Sequence, residues 1–148
     1  MRRLRSFLAR HRLLALDTNV FVYHLEANPR YVEATGEVLR WVEQEGHGAV
    51  CSTITLAELL VAPYRKGDEG QVGLFWALLT TIPHLEWRAP DLLVADGAAK
   101  WRARYGLKMP DALIVSTALV AGATGLVTND AGMRKVRELE VLVLDDAE

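Results

Sequence analysis

The sequence predicts an α/β fold, a three-layer α/β/α sandwich built around a central parallel sheet. Short apolar runs alternate with longer segments of helical periodicity along the chain, as expected where crossover helices connect parallel strands. The runs at residues 13–16, 126–128 and 141–144 carry no alternating polar face, which is typical of strands covered on both sides. The 148 residues fit one domain.

Turn residues separate the predicted elements in order. The first strand is a continuous apolar run that stops at Asp17, and Gly46 and Gly48 end the second helix before the next strand. Leu74, Phe75 and Leu78 recur at helical spacing. In chain order we predict strand 13–16, helices 18–26 and 31–45, strand 49–53, helices 56–64 and 71–81, strand 85–88, helices 91–105 and 110–121, strand 126–128, helix 131–139 and strand 141–144.

Charge is unevenly distributed along a chain whose formal net charge is -2. Residues 1–12 contain five arginines and no acid, so we treat them as a basic N-terminal extension and residues 13–148 as the single domain. This composition suits a nucleic-acid-binding arm, but we favour a frayed, solvated terminus. The extension is a poor signal peptide, and no apolar run approaches the roughly 20 residues of a membrane helix. We therefore expect a cytoplasmic protein without a membrane segment.

Several common catalytic and binding motifs are missing. No phosphate-binding glycine loop of either common type occurs, and no serine lies in a nucleophile elbow. The four histidines are scattered without zinc-ligand spacing, so we interpret them as surface or structural residues. The single cysteine, Cys51, excludes an internal disulfide and is expected to be a buried inert thiol.

Four acidic residues fall at strand ends or helix starts: Asp17, Glu58, Asp111 and Asp130. Each has a structural explanation of its own. Asp17 and Asp130 suit N-caps, Thr55 and Glu58 have capping-box spacing, and Asp111 follows a proline at a helix start. If the strands at 13–16 and 126–128 are neighbours, however, these carboxylates converge and repel one another unless a cation neutralises them. Oxygen ligands alone favour Mg²⁺ or Mn²⁺, ions that typically serve phosphoryl chemistry.

At these positions the sequence resembles the PIN-domain ribonucleases, and most closely the VapC toxins of toxin–antitoxin pairs. The resemblance covers roughly residues 13–145, with the family's motifs in the family's order. The matching segments are Leu16-Asp17-Thr18-Asn19-Val20, Ser52-x-x-Thr55-x-x-Glu58-Leu59, Pro110-Asp111-Ala112-Leu113-Ile114 and Val127-Thr128-Asn129-Asp130.

The resemblance implies hydrolysis of RNA phosphodiesters that depends on Mg²⁺ or Mn²⁺. Asp17 and Asp111 would bind the ion directly, Asp130 directly or through water, and Glu58 would hold or deprotonate a water molecule. Asn19 and Thr128 match the polar residues that support the acids. Many toxins carry a further acid and an aromatic residue where this chain has Gly132 and Met133.

An acidic site that binds RNA needs nearby cations, because phosphate contacts dominate nucleic-acid affinity. Trp101 and Tyr105 either stack on unpaired bases or face the core of an amphipathic helix. The candidate RNA-binding cations are Lys100, Arg102, Arg104, Lys108 and Arg134.

The resemblance also implies a homodimer and an antitoxin whose tail blocks the acidic groove. The apolar helix patterns at 31–42 and 56–64 exceed what one small core can bury. A housekeeping PIN nuclease and a non-catalytic PIN-like RNA-binding domain remain alternatives. A receiver-type phosphoacceptor or a haloacid-dehalogenase-type phosphatase is disfavoured, because Asn19 stands where the phosphatase has a second aspartate and no lysine follows the last strand.

Overall fold

The computed structural model describes residues 1–147 and confirms the α/β architecture. Its strands are β1 (Leu13–Leu16), β2 (Gly48–Ser52), β3 (Leu85–Arg88), β4 (Gly125–Thr128) and β5 (Glu140–Val143). Its helices are α1 (Arg2–Leu8), α2 (Thr18–Leu25), α3 (Val32–Val42), α4 (Thr53–Arg65), α5 (Glu69–Thr80), α6 (Leu92–Tyr105) and α7 (Met109–Ala121). Two 3-10 helices, Ala131–Lys135 and Leu144–Asp146, flank β5. Among residues 1–147, no helix combines the length and apolar character that a membrane span requires.

All five strands are parallel and lie in the order β3-β2-β1-β4-β5. The chain builds outward from β1 to β3 and then returns to the other side of β1 with β4. Leu16 at the end of β1 pairs with Val127 of β4. The strand order therefore reverses between β1 and β4, and the carboxyl ends at such a switch point form the crevice in which α/β proteins bind ligands.

Alternate side chains of the central strands β1, β2 and β4 enter two separate cores. In β1, Leu14 and Leu16 face the core beneath α1 to α5, whereas Ala15 faces the core beneath α6 and α7. In β4, Val127 and Leu126 divide in the same way. Both faces of the sheet are thus covered, which explains the continuous apolar runs of the sequence.

The N-terminal residues are packed against the domain, so the expectation of a frayed terminus is wrong. Residues Arg2–Leu8 form α1, and its Leu4, Phe7 and Leu8 are buried in the core below α3. The Leu4 amide donates to the carbonyl of Ala147, and Arg5 forms an ion pair with Glu37 at 2.7 Å. Three apolar residues at helical spacing fix the helix, while its arginines face outward.

The predicted helix at 131–139 is also wrong in extent. Only Ala131–Lys135 is helical, as a 3-10 turn, and Val136 returns to an extended conformation. Val136 and Leu139 are buried against α6 and α7 on the way to β5. Their apolar spacing reflects this packing and not a continuing helix.

Because α1 belongs to the core, we expect Phe7→Ala to lower the free energy of unfolding by about 3 kcal/mol or more, as for other buried phenylalanines. The side chain is only 2% exposed. Urea denaturation would measure the loss, with Arg2→Ala on the exposed side of the same helix as the control. Equal midpoints for Phe7→Ala and wild type would contradict the docking of α1.

Candidate active site

The switch point brings the four predicted acids into one electrostatic environment. Asp17 follows β1 directly, and Asp130 lies two residues beyond the neighbouring strand β4. Glu58 extends from α4, and Asp111 from the first turn of α7. Burial raises the pKa of the Asp111 carboxyl, and the charges of the other three acids raise it further. The four carboxylates therefore act on one another as like charges.

Asp17 is the buried member of the group, with 6% of its surface exposed. One carboxylate oxygen accepts from the Thr18 amide at 2.7 Å and caps α2. The other accepts from the Thr128 hydroxyl at 2.6 Å. Burial raises the pKa of Asp17, the charges of Glu58 and Asp130 add to this effect, and the two hydrogen bonds oppose it.

Asn19 and Thr128 connect Asp17 to the end of β4. The Asn19 carbonyl accepts from the Asn129 amide at 3.0 Å, which turns its amino group to within 3.4 Å of the Asp17 carboxylate. The Thr128 hydroxyl donates to Asp17 and accepts from the Asp130 amide at 3.0 Å. The two residues therefore fix the first and fourth acids relative to each other.

Glu58 is not part of a capping box, contrary to that interpretation of its spacing. Ser52 caps α4 by accepting from the Ile54 amide at 3.2 Å, so Thr55 lies within the first turn. The exposed Glu58 carboxylate instead accepts from the Thr18 hydroxyl at 2.7 Å. A tertiary contact with α2 thus directs this side chain toward the other acids.

Asp111 and Asp130 differ in how much of their hydrogen-bonding capacity is used. Asp130 caps the 3-10 helix by accepting from the Gly132 amide at 2.8 Å, so it is both an N-cap and a member of the acidic group. Within residues 1–147, no hydrogen bond engages the half-buried Asp111 carboxylate. Lys108, the residue before α7, is the neighbouring cation that lowers the pKa of Asp111.

The donor chemistry of the group fits a hard divalent cation. All four side chains offer carboxylate oxygens, and their repulsion is the kind that a cation relieves. Within residues 1–147, no group of three or more histidine, cysteine, aspartate or glutamate side chains is arranged to enclose a metal ion on its own.

The predicted RNA-binding cations are dispersed. Arg104 pairs with Glu138 at 3.0 Å, Arg134 pairs with Asp146, and the Arg102 guanidinium donates to the Leu107 carbonyl. The Lys100 ammonium lies 4.7 Å from the centre of the Trp101 ring. Of the five, Lys108 is the one whose charge acts on an acid of the site.

The two aromatic side chains of α6 have structural roles. Trp101 is buried in the core beneath α6 and α7, and the Tyr105 hydroxyl donates to Glu138 at 2.7 Å. Of the two interpretations, the structure thus favours the amphipathic helix over base stacking. Cys51 lies in β2, with its sulfur 3.6 Å from the Leu16 carbonyl of the neighbouring β1, and burial raises the pKa of its thiol strongly. The thiol is buried, as predicted, and a buried thiol with a raised pKa is a poor nucleophile.

Sequence reasoning assigned no role to Thr18 or Asn129, which lie beside predicted acids in the chain. Thr18 orients Glu58, and Asn129 holds Asn19. The one local indication of these roles is that the two residues adjoin Asp17 and Asp130 in the chain. Their partners are more than 35 residues away, so no spacing pattern reveals the contacts.

Comparison with known proteins gives a family and a fold. The model of the PIN domain family matches residues 14–139. A protein of Archaeoglobus fulgidus described as uncharacterized is 45% identical over 56 residues, which is 38% of this chain and 87% of the relative.

Solved structures share the fold at low sequence identity. VapBC2 from Rickettsia felis bound to a promoter DNA fragment gives a TM-score of 0.72 at 20% identity, over 88% of this chain and 98% of the other. A toxin–antitoxin complex from Klebsiella pneumoniae gives 0.67 at 20% identity, over 88% and 97%. FitAcB from Neisseria gonorrhoeae gives 0.66 at 21% identity, over 90% and 99%. Since the family model spans most of the sequence and the acids converge at the switch point of the sheet, the chain belongs to the PIN domain family.

Proposed function

We propose that this protein is a metal-dependent endoribonuclease and the toxin of a toxin–antitoxin pair. The observation that carries the nuclease is the convergence of four carboxylates at the switch point. The Thr128 hydroxyl joins Asp17 to the backbone of Asp130, and Thr18 beside Asp17 donates to Glu58. The charges of these three acids act on Asp111. Such a concentration of negative charge is unfavourable for stability alone and suits a site that binds a cation. Membership of the PIN family makes a receiver-type phosphoacceptor or a dehalogenase-type phosphatase the wrong alternative.

Asp17 and Asp111 would hold Mg²⁺ or Mn²⁺, with Asp130 binding directly or through water. When bound, the ion supplies positive charge that stabilises the phosphate during an in-line displacement. Two hydrogen bonds fix the Asp17 carboxylate and oppose the rise in its pKa that burial causes, because both of its oxygens have donors. Asp111 keeps both oxygens free of hydrogen bonds within the described residues, which suits a direct ligand.

Glu58 is the acid placed to act on water. It is exposed, and the Thr18 hydroxyl fixes its orientation. As the oxygen of the attacking water bonds to phosphorus, Glu58 would accept the proton of that water. The bond from phosphorus to the leaving oxygen breaks in the same displacement. Lys108 would contact a phosphate of the RNA, since its charge acts on Asp111 of this acidic group.

The antitoxin is proposed from fold similarity and from a cleft beside Glu58. Three of the similar structures are described as VapBC or toxin–antitoxin complexes. A cleft of about 400 Å³ runs from Glu58 between α2, α4 and α5, and its apolar lining is Val22, Leu25, Leu59, Ala62 and Phe75. An apolar antitoxin segment with a basic residue beside Glu58 fits this cleft. A small upstream gene that encodes a DNA-binding protein would favour the toxin over a housekeeping nuclease.

We expect the purified protein to cut structured RNA into discrete fragments with Mg²⁺ or Mn²⁺, and to produce none with EDTA. Asp17→Asn should lower the cleavage rate by at least about 100-fold, since even outer-shell partners of a metal contribute about 10- to 100-fold. Gel analysis of the fragments measures both effects.

The control is Asp96→Asn, which removes an exposed acid of α6 outside the group. Thermal unfolding verifies that both variants are folded. Full activity of Asp17→Asn, or cleavage that persists in EDTA, would contradict the proposed site. A folded wild-type protein that cuts no RNA would favour the non-catalytic alternative.

We also expect Asp111→Asn to raise the melting temperature by about 2 to 4 °C at neutral pH without added metal. The pKa of Asp111 is higher in the folded chain than in the unfolded chain. Ionisation therefore costs folding free energy, and this cost grows as pH rises through the carboxyl range. The advantage of the variant should disappear near about pH 3.5, where the carboxyl is protonated in both states. A variant less stable than wild type at pH 7 would contradict the repulsion.

A homodimer is proposed because large apolar side chains remain exposed on α4, α5 and α6. The apolar side chains of α3 are buried in the core. By contrast, Leu92 and Leu93 at the start of α6 are 90% and 63% exposed. A pair so exposed favours contact with a second copy of the chain. We expect sedimentation to give twice the monomer mass, and replacement of both leucines by aspartate to give a monomer. Gln44→Asp, at an exposed polar position after α3, is the control, and a monomeric wild type would contradict the dimer.

A further inference from the structure

Asn129 lies between Thr128 and Asp130 and has no role in the function proposed above. Three of its polar groups form hydrogen bonds, two with residues of α2 and one with the C-terminal 3-10 helix. The backbone amide donates to the Asn19 carbonyl at 3.0 Å, and the side-chain amino group lies 3.3 Å from the Tyr23 hydroxyl. The side-chain carbonyl accepts from the Asp145 amide at 3.0 Å. From this geometry we infer that Asn129 is a positioning residue that fixes the acidic site for its cation, an inference that rests on the proposed function.

Asn129 acts on Asp17 through the side chain of Asn19. A primary amide has an accepting oxygen on one side and a donating nitrogen on the other. Because the Asn129 amide occupies the Asn19 oxygen, the Asn19 nitrogen must face the opposite way. There it lies 3.4 Å from the Asp17 carboxylate and 3.5 Å from the Thr128 hydroxyl. Asn129 thereby determines which end of Asn19 meets the first acid.

The Asn129 side chain also fixes the loop that carries Asp130. The Asn129 side chain spans from Tyr23 on α2 to the backbone of Asp145 in the C-terminal 3-10 helix. Asp145 is itself anchored, since its carboxylate accepts from the Tyr31 hydroxyl at 2.7 Å and from Arg30 at 2.8 Å. The rings of Tyr23 and Tyr31 stack at 4.3 Å.

The loop after β4 is therefore held on both sides by packed elements. Asn129, which joins these elements, adjoins two members of the site in the chain. Thr128 supplies the hydroxyl that donates to Asp17, and Asp130 is the fourth acid. Outer-shell partners of this kind orient metal ligands, and their loss typically weakens metal affinity or activity by about 10- to 100-fold.

Removal of the Asn129 side chain should therefore weaken cation binding more than it weakens the fold. Asn129→Ala keeps the backbone amide for Asn19 but breaks the links to Tyr23 and Asp145. We expect its dissociation constant for Mn²⁺, measured by calorimetry without RNA, to rise by about tenfold. Its kcat for RNA cleavage should fall with little change in KM, because the substrate contacts remain.

Two further variants separate positioning from general destabilisation. Tyr23→Phe removes one hydroxyl while keeping the stacked ring, so it should weaken Mn²⁺ binding less, and its effect should not add to that of Asn129→Ala. Asn28→Ala is the matched control, because the Asn28 side chain makes a local turn contact with the Arg30 amide. Its Mn²⁺ affinity should equal that of wild type.

The outcomes distinguish this inference from the proposed function. A lower melting temperature of Asn129→Ala with unchanged Mn²⁺ affinity and kcat would overturn it and leave Asn129 a structural residue. If Asn129→Ala fails to fold, unchanged Mn²⁺ affinity in Tyr23→Phe would overturn it equally. A wild-type protein that binds Mn²⁺ but cuts no RNA would contradict the nuclease, while weaker binding by Asn129→Ala would still support the positioning role. A wild type that binds no Mn²⁺ would overturn the inference.

Discussion

The repulsion among four carboxylates at one edge of the sheet is the constraint on which the rest of the site depends. Burial raises the pKa of Asp17, and the first amide of α2 and the Thr128 hydroxyl oppose this rise by donating to its two oxygens. One donor begins the helix that follows β1 and the other is the last residue of β4, so the site requires β1 and β4 to be neighbours. The return of the chain across β1 thus brings together charges that are more than 100 residues apart in sequence.

The sheet and the positions of the acids could be predicted from the sequence, because both leave a local signal. Fully apolar runs mark strands buried on two faces, and the polar residues directly after them mark the carboxyl edge. The helix α1 left a signal as well, in the helical spacing of Leu4, Phe7 and Leu8. The five arginines of residues 1–12 concealed it, because such a basic composition also suits a solvated terminus. The contacts of Asn129 and Thr18 left no such signal, because their partners are distant in sequence.

Glu58 shows how a local rule fails when a tertiary contact competes with it. The spacing from Thr55 suits a capping box, but Ser52 begins the helix three residues earlier and supplies the cap. Thr55 then lies inside the first turn, with its hydroxyl 3.1 Å from that of Thr18. The Glu58 carboxylate is free to meet the same threonine on α2. The start of α4 therefore decides whether this acid serves the helix or the site.

Capping and binding are not alternatives for an aspartate at a helix start, because a carboxylate has two oxygens. Asp130 uses one oxygen for the Gly132 amide, while Asp17 uses one for its helix and presents the other to Thr128. The helix N-terminus also favours the charged form that a cation needs. A cap therefore prepares an acid for binding, since it fixes the side chain in place. Asp111 lacks such a bond within the described residues, and its pKa is raised by burial and by its three acidic neighbours. A bound cation would offset that cost, so the acid with the fewest partners is the one whose free energy depends most on the ion.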